Sequence, residues 1–127
     1  MHEPYGFSRS DRVAGQLRRE LAQLIWAEVK DPRLGSVSVT DVEVSRDLAH
    51  AKVYLASQHP ESMPGSLQAL TRAQGFLRRR LGQMLRMRTV PELHFLHDDS
   101  IERGARIDAL ISQAVSEDAA HPRDEEE

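Results

Sequence analysis

The chain predicts an α+β two-layer domain in the order αββααβ(α), with helices on one face of a three-stranded sheet. Three observations predict it. Apolar residues recur at helical spacing in four stretches, and they alternate in three short runs. A pair of helical stretches separates the second alternating run from the third, which is the layout of a crossover connection.

The first helix starts at Ser8-Arg9-Ser10-Asp11, a capping-box-like sequence. Val13, Leu17, Leu21, Leu24 and Ile25 follow. At 100° per residue they fill an arc of about 120°, one buried stripe. Arg12, Arg19 and Trp26 share roughly the opposite side. Asp31-Pro32 marks the end, because the residue before proline is pushed out of the helical region. In the strand from Ser36 to Ser45, Val37 and Val39 have one parity and Val42 and Val44 the other. A bulge near Thr40-Asp41 restores a single buried face. After a turn at Arg46-Asp47-Leu48, residues 49–55 alternate cleanly, with Ala51, Val53 and Leu55 inward and Lys52 and Tyr54 outward. The two strands read as an antiparallel hairpin.

Residues 57–66 form a loop, with a helix starting between Ser62 and Leu67. Leu67, Leu70 and Ala73 give one helical face, and Leu77, Leu81, Met84 and Leu85 a second. Gly75 lies between them. A mid-helix glycine costs about 1 kcal/mol relative to alanine, so two helices are expected to meet in a kink at Ala73-Gln74-Gly75. Leucine at Gly75 is expected to strain that junction. Val90-Pro91 ends the second helix, and residues 92–97 make a third strand with Leu93 and Phe95 on one face. Asp98-Asp99-Ser100 is a turn able to cap a last helix carrying Ile101, Ile107, Leu110, Ile111, Ala114 and Val115. The expected organisation is a flexible N-terminus over residues 1–7, a domain over 8–116 and a disordered acidic tail over 117–127.

Composition narrows the function classes. Hydrophobic residues make up 39% and charged residues 29%, enough for a small core. Without cysteine, disulfides, thiol catalysis and cysteine-ligated zinc are excluded. There is no apolar run of 18 residues and no secretory signal, so a cytosolic protein with no membrane role is expected. The net charge of -3 is uneven. Residues 117–127 hold six acids and one base, a charge of -5, so residues 1–116 carry +2. Arg72, Arg78, Arg79, Arg80, Arg86 and Arg88 fall in one stretch without an acid. Such a concentration suggests a polyanionic partner.

Arg79 and Arg86 project away from the core stripe of their helix, and Arg78 and Arg80 flank it, with stems over apolar surface. Guanidinium groups bind phosphate in a bidentate manner. Trp26 beside Arg12 and Arg19 either stacks on an unpaired base or covers the sheet edge, and packing is the expected role. Tyr54 poses the same choice. The densest histidine cluster is His94-x-x-His97-Asp98-Asp99, but strand alternation sends His94 and His97 to opposite faces. Neither a metal, a cofactor nor catalysis is expected, and a hydrolase using His94, His97 and Asp98 is the weakest reading. The main alternative is a protein-interaction module docking an acidic partner through its basic helix.

Several blocks together resemble one known family. They are Asp31-Pro32-Arg33-Leu34; the run from Val39 to Tyr54; Ala73-Gln74-Gly75-Phe76-Leu77-Arg78-Arg79-Arg80-Leu81; Arg88-Thr89-Val90-Pro91-Glu92-Leu93-His94-Phe95; and Asp98-Asp99-Ser100-Ile101-Glu102-Arg103-Gly104. Their order resembles the bacterial ribosome-binding factor A family over residues 8–112. The resemblance implies a type II KH-like domain in which an Ala-x-Gly kink, here Ala73-Gln74-Gly75, replaces the Gly-x-x-Gly loop. It also implies a non-catalytic, monomeric ribosome maturation factor. Its partners would be the free 30S subunit, 16S rRNA and other assembly factors such as a release GTPase. Its roles would be late assembly, 16S rRNA 5′-end processing and cold adaptation. The RNA-binding residues expected are Arg9, Arg12, Arg19, Arg72, Gly75, Arg78, Arg79, Arg80, Arg86 and Arg88.

Overall fold

A computed structural model describes residues 8–29, 31–34 and 36–120. The expected N-terminus over residues 1–7 lies outside the described residues, as does the end of the expected tail.

Helix α1 (Arg9–Glu28) opens with the capping box read from the sequence. The Asp11 N–H donates to Ser8 Oγ, and the Ser8 N–H donates to Asp11 Oδ2, both at 3.2 Å. These bonds satisfy donors that the first helical turn leaves unpaired. The stripe Val13, Leu17, Leu21, Leu24 and Ile25 is buried. The helix stops at Glu28, ahead of a single 3-10 turn over Pro32–Leu34.

Strands β1 (Val37–Val44) and β2 (His50–Ser57) pair antiparallel, and β3 (Glu92–His97) pairs with β2 in parallel, giving the order β1-β2-β3. The register slips between Val39 and Asp41, so the bulge forms where parity demands it. Val37, Val39, Val42 and Val44 consequently all reach the core. The bulged residue has a second role. The Thr40 hydroxyl donates to Asp98 Oδ2 at 2.7 Å and lies 3.2 Å from the Tyr54 carbonyl, linking β1 to β2 and to the turn beyond β3.

The crossover from β2 to β3 is made by α2 (Met63–Arg72) and α3 (Gln74–Leu85), after a 3-10 turn over Pro60–Ser62. Met63, Leu70, Leu77 and Leu81 are fully covered and meet Leu17, Leu21, Val53, Leu55 and Leu93 in one core. The helix break falls on Ala73, at φ -83° and ψ 0°, the sparsely allowed bridge region. This shifts the expected kink away from Gly75, which sits in the first turn of α3, exposed. A Cβ there would meet only Arg79 Nη1, at 3.9 Å, an ordinary van der Waals contact. The tighter glycine is Gly82, where a Cβ would lie 3.4 Å from Val90 and 3.5 Å from the Met87 carbonyl.

Helix α4 (Ser100–Ala120) runs four residues into the segment expected to be tail. Its N-terminus is capped as read, with the Ser100 N–H donating to Asp98 Oδ1 at 3.0 Å. Its apolar residues Ile101, Ile107, Leu110, Ile111 and Val115 are all exposed. Among the described residues no helix is long and apolar enough to cross a membrane.

Candidate nucleic-acid interface

The arginines expected to meet RNA divide into three kinds once folded. The first kind is committed to the fold. Arg80 grips Glu28 in a two-pronged ion pair, Nε to Oε1 and Nη2 to Oε2, both 3.1 Å. Its Nη1 donates to Gln83 Oε1 at 3.1 Å. The adjacent carboxylate raises the Arg80 pKa above its ordinary value, through the hydrogen bond first and the charge second. This guanidinium ties α3 to the end of α1 and has little left to offer a phosphate. Arg78 is half-buried, and its Nη2 donates to the Val90 carbonyl at 2.6 Å. That bond holds the segment entering β3. Gln74, in the middle of the predicted kink, works alongside it: its Oε1 accepts from the Leu93 N–H at 2.8 Å.

The second kind borders two concavities that meet on the segment after α3. One has a volume of about 540 Å³ and is lined by Gly75, Arg78, Arg79, Gln83 and Arg88 among others. The other, about 570 Å³, lies between the first turn of α1, the β1–β2 turn and the same segment, and it gathers Arg9, Arg86 and Arg88. Arg88 and Met87 line both. Helix α3 ends in a left-handed residue, Arg86 at φ 55°, which turns the chain out of the helix. The Met87 N–H then closes on the Gly82 carbonyl at 3.1 Å, a C-terminal cap usually given to glycine. Arg9, Arg79, Arg86 and Arg88 are exposed, and none is in an ion pair among the described residues. Four cationic heads from two helices and a loop therefore face water across a shared rim. This is a form of surface that attracts polyanions.

The third kind lies elsewhere. Arg12 and Arg19 occupy the solvent side of α1 as expected, and Arg72 ends α2, where it faces the negative end of the helix dipole. Trp26 is 86% exposed, which overturns the expectation that it packs on the sheet edge. An exposed indole on an arginine-bearing helix is a stacking surface for bases. Tyr54 does find a structural partner: its hydroxyl donates to Glu43 Oε1 at 3.2 Å.

Histidine placement also differs from the sequence reading. His97 turns away from His94, with Nε2 3.6 Å from Glu102 Oε2. His94 instead meets His50 of β2 and Glu92 of β3. Parallel pairing across β2 and β3 created this group, and nothing local to 94–99 announces it. The contribution of Arg9 to the rim of Arg86 and Arg88 is equally long-range. Its only signal in the sequence is the basic residue in the first turn of α1.

The sequence pattern of the family described as ribosome-binding factor A matches residues 9–111. The ribosome-binding factor A of Azoarcus sp. (strain BH72) is 55% identical over 124 residues, covering 97% of this chain and 98% of that protein. That of Thioalkalivibrio sulfidiphilus is 55% identical over 126 residues, covering 98% of each. Among solved structures, the crystal structure of ribosome-binding factor A from Thermus thermophilus is similar, with 37% identity and a TM-score of 0.63. The match covers 71% of this chain and 97% of that one. A homology model of Thermus thermophilus ribosome-binding factor A, as fitted into the cryo-EM map of a 30S complex, is 38% identical, with a TM-score of 0.59. That match covers 68% of this chain and 91% of that one.

Proposed function

The chain belongs to the ribosome-binding factor A family, and on that footing we propose that it binds the 30S subunit and its 16S rRNA through the rim of Arg9, Arg79, Arg86 and Arg88. The observation that carries the proposal is the convergence of these four exposed guanidinium groups around adjoining concavities. It is supported by the placement of the Thermus thermophilus relative in a 30S complex. Trp26 with Arg12 and Arg19 is a secondary contact, offering a stacking face.

The protein makes and breaks no bonds in this role. Assembling rRNA has several near-degenerate arrangements, and a protein that binds one of them better shifts the population by its differential affinity. On this reading the chain acts as a monomer in late assembly, supports 16S rRNA 5′-end processing and growth in the cold, and hands over to other assembly factors such as a release GTPase. Arg78 and Arg80 serve by holding α3 and the β3 entry in place, so that the rim is preformed.

A sucrose gradient of cell extract tests the proposal. The protein is expected to sediment with free 30S subunits and their precursors. Sedimentation with 70S ribosomes alone, or at the top of the gradient at low salt, refutes it.

A further inference from the structure

The face of the sheet turned away from the helices carries His50 and Lys52 from β2 and Glu92 and His94 from β3, all exposed. The parallel register sets His50 beside Glu92 and Lys52 beside His94. His50 Nδ1 lies 3.0 Å from His94 Nε2 and 3.7 Å from Glu92 Oε1. The ligand atoms of all three lie within 4.8 Å of one another. The two imidazoles are not stacked, since their centroids are 5.2 Å apart and their planes tilt by 37°. They present nitrogen to nitrogen, an arrangement that needs either one shared proton or one shared cation between them.

We infer that His50, Glu92 and His94 form a surface site for a transition-metal dication, with zinc the foremost candidate. Zinc–nitrogen bonds are about 2.0–2.1 Å long, which sets two nitrogens of one tetrahedral zinc roughly 3.3 Å apart and two cis nitrogens of an octahedral ion roughly 3.0 Å apart. The observed 3.0 Å equals the octahedral spacing and lies roughly 0.3 Å inside the tetrahedral one, so a small rotation of either ring admits zinc. Two imidazoles and one carboxylate suit zinc, nickel or cobalt. Magnesium and calcium favour oxygen donors. Three protein ligands leave the remaining positions to water. Lys52 pairs with His94 in the parallel register and with Glu43 across β1. The metal would clamp the beginnings of β2 and β3, which only the folded chain brings together, so binding stabilises the fold. None of the three ligands lines either concavity of the arginine rim.

The test is a titration of the full-length protein with zinc chloride, read by calorimetry and by melting temperature, with cobalt absorbance reporting nitrogen ligation. One zinc per chain and a rise in melting temperature are expected. His50→Gln and His94→Gln, on separate strands and both at exposed positions, are each expected to weaken zinc binding at least about tenfold and to abolish that rise. Their melting temperatures without metal should match the parent. His59→Gln and His97→Gln are expected to leave binding unchanged. Absence of stoichiometric zinc binding in the parent overturns the inference, and so does parental affinity in both His50→Gln and His94→Gln.

Discussion

Replacing Arg79, Arg86 and Arg88 together by glutamine removes three positive charges from the rim and leaves shorter, neutral polar side chains. The size of the effect follows from how phosphate contacts respond to salt. Each contact contributes about 0.9 to the slope of log affinity against log salt on a duplex, and about 0.7 on a single strand. Three contacts thus account for roughly 2–3 units of slope. Between about 50 and 200 mM salt, a roughly fourfold change, the parent should lose about 20- to 40-fold more affinity than the triple variant. The assay is equilibrium binding to purified 30S subunits across a potassium chloride series. All three positions are exposed and outside ion pairs among the described residues, so the melting temperature should hold. Arg80→Gln is the contrasting variant. Its guanidinium is already held by Glu28, so its loss should lower the melting temperature and leave the salt slope alone. An unchanged slope in the triple variant refutes the rim. A flattened slope in Arg80→Gln would show that the Glu28 pair opens on binding.

Two further outcomes test the fold around the site. Asp98 has its pKa lowered to about 2, first by the Thr40 hydroxyl and then by the Ser100 backbone. A lowered carboxylate pKa stabilises the fold fully above the unfolded value near 3.9, and that stability is lost as pH falls through about 2. Asp98→Asn should therefore cost about 1 kcal/mol at pH 7, because it removes the negative charge that the Thr40 and Ser100 hydrogen bonds favour, a gain reduced by partial exposure to water. Urea melts should show the gap to the parent closing between about pH 4 and 2, and a constant gap contradicts the assignment. Gly75→Ala should stabilise by about 0.5–1 kcal/mol, because its Cβ sits in a helix and meets only the Arg79 guanidinium, without a clash. A drop in melting temperature would mean that the glycine serves the helix junction itself.

Most elements are legible in the chain because their signals are local. The Ser8–Asp11 capping box, the α1 stripe, the alternation of β2 and the Asp98 cap each lie within one or two turns of chain. Even the bulge at Thr40 is legible, since four valines with clashing parity share one core. The helix break is less so, and it falls two residues before the glycine. Glycine marks where a chain is able to bend, but packing chose Ala73 and used Gln74 to anchor β3. Apolar bulk favours burial, which makes packing the expected role of Trp26. That rule holds only where another surface arrives to cover the side chain, and none does so here among the described residues.

Periodicity and composition act along the chain, so the order of elements, the core residues and the arginine excess over residues 72–88 can all be read without a fold. Which of those arginines stay open to a partner emerges only when distant segments meet. Glu28, 52 residues away, claims Arg80, and Val90 claims Arg78. Arg9 joins Arg86 and Arg88 across the domain. The same holds for His50, which reaches His94 across 44 residues only because β2 and β3 run parallel. Charge is a property of each residue, whereas its availability depends on neighbours that chain folding supplies.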